Sequence, residues 1–300
     1  MVPIRGERMN LSRRTLMAGL AAFPLAACGT RPQAAAVSAP PQPDAPFPLP
    51  PATPGWVADP ARAGLNAVID LSHSSMVRDF AAAREEGRIL GVIHKATEGV
   101  GFIDPLYAER RAQAQAAGLM WGAYHFGTFE WPGADQAAAF LATAQPQPDT
   151  LIALDLELNE RDPANSMDIG RAEDFVRAVH AATGRLPLLY VHPVWADGGA
   201  VGGYGRTLGG AIRPGSILAA CDLWLADYRA TPQLPSAWAA RGWRLWQYAG
   251  DADGRGGGPF RDYARSVAGI DRCDRNVFVS DEERLRRYWR EQAGRERPTV

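Results

Sequence analysis

The sequence predicts an α/β fold, a TIM-like barrel in the modified form (β/α)5(β)3. Apolar strand-like segments alternate with helical segments through the first part of the folded chain, which is typical of a parallel sheet covered by helices. Beyond residue 192 the clear helical pattern ends, while three more strand-like segments follow. Acidic residues stand at the ends of several strands, the edge where such barrels carry their chemistry. Eight strands with helices between only the first five therefore indicate a barrel that lacks its later helices.

The first 28 residues resemble an export signal rather than part of the fold. Arg13 and Arg14 resemble a twin-arginine signal and precede an apolar run at 16–27, which is too short for a membrane span of about 20 residues. Residues 25–28 resemble the lipobox of bacterial lipoproteins, so lipidation of Cys28 is expected, an ordinary signal with a chance cysteine being the alternative. The expected location is the cell envelope, lipid-anchored on the periplasmic side of the outer membrane, since Gly29 gives no sign of inner-membrane retention.

Residues 29–62 are rich in proline and alanine and predict a semi-extended tether, because such a segment cannot bury a core. Residues 63–300 are long enough for one folded domain with a C-terminal helix, and we expect a monomer. The net charge of −1 gives no reason to expect a nucleic acid as partner. Cys221 and Cys273 fit either a disulfide, which an exported compartment permits, or two buried thiols. No cysteine spacing typical of a metal site occurs, and we expect no metal or cofactor.

Each predicted strand is a short apolar run bounded by turn residues. The predicted strands are residues 66–72, 89–97, 119–126, 150–157, 186–192, 222–228, 243–249 and about 274–279. The predicted helices are 77–87, 104–118, 132–144 and a helix from 166 or 168 to 184. Asp104, followed by proline, is a favourable helix start. A terminal helix is predicted to begin with a capping box of Ser280 and Glu283 and to dock Leu285 and Trp289 inward.

The strongest functional signal is the strand 150–157, which ends in two carboxylates separated by one leucine. Because side chains alternate along a strand, Asp155 and Glu157 face one side, with Cα atoms about 7 Å apart at a rise of about 3.3 Å per residue. Leu154 and Leu156 face the other side. Neighbouring carboxylates at the end of a buried strand are costly unless their charge is shared or offset. The arrangement favours a functional pair, with two solvated charges in a turn as the alternative.

Seven short motifs occur in order between about residue 64 and residue 279. They are I-D-L-S at 69–72, K-A-T-E-G at 95–99, G-A-Y-H-F at 122–126, L-D-L-E at 154–157, L-W-L-A-D-Y at 223–228, W-Q-Y at 246–248 and C-D-R-N-V-F at 273–278. Together they resemble glycoside hydrolase family 25, the Chalaropsis-type lysozymes. The resemblance implies a barrel of eight strands with five helices. It also implies hydrolysis of the β-1,4 bond between N-acetylmuramic acid and N-acetylglucosamine, with peptidoglycan glycan strands as the partner.

The resemblance assigns roles to residues that match these motifs. It implies that Glu157 is the proton donor and that Asp155 positions or polarises the acetamido group of the substrate. It implies that Asp70, at the end of the first strand, and Asp274, near the start of the last, are further acids of the cleft. The residues expected to bind substrate are Tyr124, His125, Tyr190, Tyr228 and Trp246. The sequence departs from the family pattern at 73–75 and 191–193. These departures lie beside the cleft, so they affect the expected subsite preference and leave the assignment of the four acids unchanged.

Glycoside cleavage needs a proton delivered to the leaving oxygen, so we expect neighbouring charge and burial to raise the pKa of Glu157. A spacing of two residues on a strand leaves retaining, inverting and substrate-assisted chemistry open. Two other functions also stay open. One is a non-catalytic peptidoglycan-binding lipoprotein on the same barrel, and the other is a metal-dependent phosphodiesterase that holds Mg²⁺ or Ca²⁺ on its carboxylates. Wall remodelling, envelope assembly and attack on neighbouring bacteria all fit an anchored muramidase.

Overall fold

The computed structural model describes residues 62–250 and 265–294, with side chains described up to Glu291. The predicted signal, the lipobox with Cys28 and nearly all of the predicted tether lie outside the described residues. Within the described ranges, no helix has the length and apolar character that a membrane span requires.

The strands of the described residues form one closed barrel with small additions at its edge. In chain order they are β1 (Leu65–Leu71), β2 (Met76–Val77), β3 (Gly91–Glu98), β4 (Phe102–Ile103), β5 (Met120–Phe126), β6 (Leu151–Asp155), β7 (Leu188–Val191), β8 (Leu223–Ala226), β9 (Leu245–Ala249), β10 (Ile270–Asp271) and β11 (Asp274–Phe278). The barrel strands follow the order β1, β11, β9, β8, β7, β6, β5, β3, and the barrel closes because β1 also pairs with β3. Strand β4 forms a hairpin with β3, and β2 pairs with β10.

Seven of the eight barrel strands run parallel, and β11 runs antiparallel to both of its neighbours, β1 and β9. The predicted fold class, a modified (β/α)5(β)3 barrel, is confirmed. The sequence did not indicate the reversed direction of the last strand. A parallel neighbour requires a crossover that returns the chain to the opposite edge of the sheet, usually through a helix. The antiparallel β11 instead enters the barrel from the edge at which β9 ends.

Among the described residues, six α-helices lie in the connections that follow the first five barrel strands, and a terminal helix follows β11. They are α1 (Phe80–Glu85), α2 (Tyr107–Ala116), α3 (Gly133–Ala144), α4 (Ile169–Thr183), α5 (Pro193–Ala196), α6 (Ile217–Ala220) and the terminal α7 (Glu282–Gly294). The short α5 and α6 lie between β7 and β8, where the sequence showed no clear helical period. Each is a single turn, too short for a 3.6-residue repeat to be recognised.

Three helix starts differ from the prediction. Helix α1 begins three residues later than expected, since Met76–Val77 form β2, and Asp79 caps it by accepting two backbone N–H groups. Helix α2 begins at Tyr107 rather than at Asp104, whose carboxylate accepts backbone N–H groups of His73 and Leu106. The side chain of Asp281, not Ser280, accepts the Arg284 N–H at 2.9 Å before α7. Asp104 in particular serves a local partner, Leu106, and a distant one, His73, rather than capping α2.

Alternate residues of the barrel strands fill the interior of the barrel. This inner cluster comprises Ala67, Val68, Leu90, Ile93, Leu151, Ala153, Leu188, Tyr190, Trp224, Ala226, Leu245, Phe278, Leu285, Tyr288 and Trp289. Leu285 and Trp289 belong to α7, so the predicted inward docking of that helix is confirmed. Gly91 makes room for it, because a Cβ atom at Gly91 would lie 2.7 Å from the ring of Trp289. Helix α7 therefore contributes its apolar face to the core inside the barrel.

Both cysteines of the folded domain are buried and free. Of the two alternatives that the sequence left open, the structure therefore has two buried thiols. Burial raises the pKa of Cys221 and of Cys273 to about 12, which keeps both thiols protonated.

Candidate active site

The predicted acids meet at the edge of the barrel where the parallel strands end. Asp155 is the last residue of β6, and Glu157 follows two residues later. Asp70 lies in β1 and pairs in register with Asp274, the first residue of β11. Because β11 is antiparallel, its beginning lies at the same edge as the ends of the other strands. The four carboxylates that the sequence placed at strand termini are thus brought to one side of the barrel.

A cleft of about 470 Å³ opens at this edge, and Asp155, Glu157 and Asp274 line it. Asp70 is not among the lining residues and is 6% exposed. The other lining residues are Ser72, His73, Ser74, Lys95, Glu98, Tyr124, Phe126, Leu158, Asn159, Glu160, Arg161, Tyr190, His192, Trp195, Val201, Gly202, Ala226 and Tyr228. The cleft thus combines several titratable groups with aromatic side chains.

Strand alternation continues past the end of β6 and sets the direction of the two adjacent acids. The Leu156 N–H donates to the Tyr190 carbonyl at 3.0 Å, which keeps the chain beside β7. Leu154 and Leu156 are both buried in the layer between barrel and helices. Asp155 and Glu157 consequently share the opposite side, as the alternation predicted, and both face the cleft.

The electrostatics of the site favour the protonated form of its carboxyl groups. Burial raises the pKa of Glu157 to about 7; Lys95 opposes this rise, and Glu160 and Asp70 add to it. Burial also holds the pKa of Asp155 well above its ordinary value, with a further rise from the charge of Glu157. Burial raises the pKa of Asp70 to about 6, although hydrogen bonds from two side-chain amides partly offset it. A proton is therefore available in the cleft near neutral pH, and the expectation for Glu157 agrees in direction.

One oxygen of the central pair has no local partner. Asp155 Oδ1 is buried and lacks a hydrogen-bond partner among the described residues. A buried carboxyl oxygen without a donor is costly, so its presence suits a site where a ligand supplies the donor.

A hydrogen-bond network fixes Asp70 and was not anticipated from the sequence. Asp70 Oδ2 accepts from Gln247 Nε2 at 3.0 Å and from Asn276 Nδ2 at 2.8 Å. The hydroxyl groups of Tyr190 and Tyr228 each donate to Gln247 Oε1 at 2.8 Å. A signal was available, because Asn276 lies two residues after Asp274 and therefore on the same strand face. Gln247, the centre of the W-Q-Y motif, joins the two tyrosines to the acid.

Lys95 was also missed as a functional candidate. It lies in β3, lines the cleft, forms an ion pair with Glu98 and holds its ammonium 4.6 Å from the centroid of the Phe126 ring. Its charge is the main influence that lowers the pKa of Glu157 against burial. The signal was a lysine at an interior-facing position of a buried strand, where an unpaired charge is rarely kept.

Two residues expected to bind substrate face away from the cleft. His125 stacks on Phe175, with centroids 4.8 Å apart, and its ring nitrogens contact Thr97 and Gln136 in the outer layer. Trp246 is fully buried in the same outer layer and donates its Nε1–H to the Asp227 carbonyl. The prediction that His125 and Trp246 contact substrate is therefore wrong. Each is the strand neighbour of an inward-facing residue, and alternation sends it to the helix side of the barrel.

The other three residues expected to bind substrate lie in the cleft. Tyr124, Tyr190 and Tyr228 all line it. The rings of Tyr124 and Tyr190 pack edge-on against Trp224, with centroids 6.4 Å and 5.0 Å apart. Burial holds the pKa of all three phenols well above the ordinary value, so they act as neutral hydroxyl groups. Within residues 62–250 and 265–294, no group of three or more His, Cys, Asp or Glu is arranged to hold a metal ion.

A closed α/β barrel with neighbouring carboxyl groups and aromatic walls at the carboxyl edge of its strands defines a glycosidase-type site. Residues 69–256 match the family described as Glycosyl hydrolases family 25. This match covers more than half of the chain, and the chain belongs to that family. The resemblance seen in the seven motifs is thereby confirmed.

Individual relatives agree with this assignment. The chain is 32% identical over 139 residues to the N,O-diacetylmuramidase of Chalaropsis sp., covering 42% of this chain and 65% of that protein. It is 27% identical over 213 residues to the uncharacterized protein YegX of Escherichia coli O157:H7, covering 69% of this chain and 66% of that protein. The solved structure of a muramidase from Acremonium alcalophilum superposes with a TM-score of 0.59 at 28% identity, covering 76% of this chain and 99% of that one. The chain spans 60–66% of the length of these curated relatives from Escherichia coli.

Proposed function

We propose that this protein is a peptidoglycan hydrolase of the lysozyme type, which cleaves the β-1,4 bond between N-acetylmuramic acid and N-acetylglucosamine. The observation that carries the proposal is the cleft pair of Asp155 and Glu157, with the pKa of Glu157 raised to about 7. Family membership and the similarity to the Chalaropsis N,O-diacetylmuramidase support the same activity. No observation of the site favours a second function.

Glu157 is the general acid in this proposal. Below about pH 7 its carboxyl group keeps a proton, which it donates to the glycosidic oxygen as the bond to the anomeric carbon breaks. The positive charge that develops at the anomeric carbon is stabilised by the lone pairs of the surrounding carboxyl oxygens and, above about pH 6, by the ionised Asp70. Water then completes hydrolysis, giving a reducing-end N-acetylmuramic acid and restoring the proton on Glu157.

Asp155 orients the acetamido group of the substrate in this proposal. Its buried Oδ1, which lacks a partner among the described residues, is suited to accept the amide N–H. That contact would aim the acetamido carbonyl oxygen at the anomeric carbon, where it forms a cyclic oxazolinium intermediate that water opens. A glycan whose reacting sugar carries a free amine in place of the acetamido group is then expected to resist cleavage. Normal turnover of the de-acetylated glycan would exclude this route.

The two remaining acids support the pair in different ways, Asp70 through the tyrosine–amide network and Asp274 from the wall of the cleft. Gln247 carries hydrogen bonds from Tyr190 and Tyr228 to Asp70, and this couples the cleft wall to the buried acid. Asp274 lies across from Asp70 in register and lines the cleft beside Arg265, whose guanidinium is 3.5 Å from its carboxylate. Both acids raise the negative potential around the anomeric centre.

The location and state of the protein are part of the proposal. Arg13, Arg14 and the apolar run that follows support export, and Cys28 supports a lipid anchor facing the periplasm. The proline-rich segment 29–62 would let an anchored, monomeric enzyme reach the glycan strands.

The decisive test is digestion of purified peptidoglycan by the full chain in mild detergent, beside Glu157→Gln, with product ends identified by mass spectrometry. We expect muropeptides that end in reducing N-acetylmuramic acid, and their loss in the variant. If both proteins bind the wall and neither releases fragments, the protein is a binding module instead. Activity that a chelator abolishes would support the metal-dependent alternative.

A further inference from the structure

Two histidines line the cleft and are not used by the proposed mechanism. His73 lies two residues after the end of β1, and His192 directly follows β7. In the closed order of the barrel, β1 and β7 are separated by four steps in either direction. The two rings therefore stand on opposite walls, with the acids of β6 between them on one side.

The hydrogen bonds of His73 determine which of its nitrogens carries a proton. Its Nδ1 lies 3.0 Å from Asp104 Oδ2, which also accepts the backbone N–H of His73 at 2.8 Å. Burial alone would raise the pKa of Asp104, but N–H donors of Leu106 and His73 hold that pKa below its ordinary value. An ionised carboxylate only accepts, so Nδ1 must be the donor. The Nε2 of a neutral His73 then carries a lone pair.

His192 has the opposite arrangement. Its Nδ1 accepts the backbone N–H of Val194 at 3.2 Å and thereby caps α5. A nitrogen that accepts cannot also carry a proton, so the proton of the neutral ring is on Nε2. Burial lowers the pKa of His192, which agrees with a neutral ring. For both histidines, the described residues offer Nε2 no hydrogen-bond partner.

We infer that His73 and His192 are specificity-determining residues that hold the glycan from opposite walls, His73 Nε2 as an acceptor and His192 Nε2–H as a donor. His73 would take a hydroxyl or acetamido N–H group of the substrate, and His192 would give its proton to a hydroxyl or carbonyl oxygen. The inference rests on the proposed glycan substrate. A glycan strand has a direction, and two contacts that cannot be exchanged would select one direction across Asp155 and Glu157.

Replacement by asparagine separates recognition from anchoring. The amide of asparagine can stand in for Nδ1: it donates to Asp104 at position 73, and its oxygen caps α5 at position 192. Neither His73→Asn nor His192→Asn presents a group at the place of Nε2. The surface substitution His180→Asn on α4 is the matched control, because His180 is exposed on the helical layer.

The experiment measures kcat and KM of the full chain on purified peptidoglycan, the cleavage products, the melting temperature, and pelleting with peptidoglycan in a Glu157→Gln background. We expect each cleft variant to lose about two- to tenfold in kcat/KM, mainly through KM, as expected for one hydrogen bond. Their melting temperatures and kcat should stay near those of His180→Asn. His192→Gln should recover affinity, because its longer amide again offers a donor.

The outcomes separate this inference from the function it rests on. If the unsubstituted chain neither cleaves nor binds peptidoglycan, the proposed function fails. If it cleaves and both asparagine variants equal it in KM, product pattern and pelleting, the histidines only anchor their loops and this inference alone is overturned. Should an asparagine variant melt early, His73→Gln and His192→Gln provide the second comparison, and loss of affinity in both despite a retained Nε2-like group would contradict the assignment.

Discussion

Gln247 donates its amide N–H to Asp70 at 3.0 Å while its oxygen accepts the hydroxyl groups of both Tyr190 and Tyr228. One neutral side chain thus connects the buried acid with two walls of the cleft. Gln247 is 3% exposed, so water cannot readily replace any of these bonds. These hydrogen bonds stabilise the buried carboxyl group of Asp70 in a barrel whose interior is otherwise mainly apolar.

Gln247→Leu should destabilise the protein by about 2–4 kcal/mol, because it leaves a carboxyl group and two buried hydroxyl groups short of partners. It should also lower kcat. Denaturant unfolding followed by circular dichroism measures the first effect. Tyr228→Phe removes one of these bonds and serves as the control, with a smaller expected loss. Equal stability of Gln247→Leu and the unsubstituted protein would show that the network is not maintained in solution.

The alkaline limb of the pH–activity profile should report the pKa of Glu157. Since Glu157 must be protonated to act, kcat/KM should fall as pH rises through about 7. Lys95→Met removes the positive charge that lowers this pKa, so the limb should move to higher pH. Glu98→Gln removes a negative charge that raises the pKa of Glu157, so the alkaline limb should move to lower pH. Initial rates on peptidoglycan between pH 4 and pH 9 test both shifts. If the alkaline limb moved in the same direction in both variants, the ionisation of Glu157 would not be its origin.

Raised carboxyl pKa values also make folding stability depend on pH. Folding raises the pKa of Glu157 from its ordinary value of 4.5 to about 7, so the folded protein binds this proton more tightly. Between these values the folded state holds more protons than the unfolded state, so this group's contribution falls as pH rises. Glu157→Gln cannot ionise and should therefore melt above the unsubstituted protein at pH 8 by a few degrees. The difference should shrink at pH 4; a difference independent of pH would point to packing rather than ionisation.

The contact of Gly91 with Trp289 predicts coupling between the barrel and its terminal helix. Gly91→Ala should cost about 1–3 kcal/mol, because its Cβ would lie 2.7 Å from the Trp289 ring. Trp289→Leu alone should cost about 2–4 kcal/mol through lost packing. The double variant should lose less stability than the sum of the two single losses, because leucine at position 289 leaves room for the methyl group of alanine at position 91. Additive losses in a double-mutant cycle of unfolding free energies would mean that the two residues do not contact.

The outward direction of Trp246 predicts a separation between stability and substrate affinity. Trp246→Phe removes a buried indole and its bond to the Asp227 carbonyl, and it should cost about 1–3 kcal/mol of stability. KM for peptidoglycan should change by less than about twofold, because a change on the helix side removes no substrate contact. Tyr228→Phe, on the cleft side, is the comparison. A rise in KM without a loss of stability would mean that Trp246 contacts the substrate after all.

Much of the fold was determined by local sequence patterns. Alternating strand and helix segments predicted the barrel, and the loss of helical pattern after residue 192 predicted its three bare strands. The I-D-L-S and L-D-L-E motifs placed Asp70, Asp155 and Glu157 at strand ends because the apolar run before each acid determines where its strand stops. These are short-range properties, and a single sequence contains them.

Tertiary structure decided which face of each strand the barrel encloses and which distant strands meet. The alternation rule already separated Tyr124 from His125 and Trp246 from Gln247, but only closure of the barrel assigned one member of each pair to the cleft. The reversed direction of β11 brought Asp274 opposite Asp70, and nothing in the local sequence pattern indicated that direction. Gln247 likewise became part of the site only through bonds to Asp70 and the tyrosines. Such contacts join residues from different strands, so the periodicity of one segment cannot specify them.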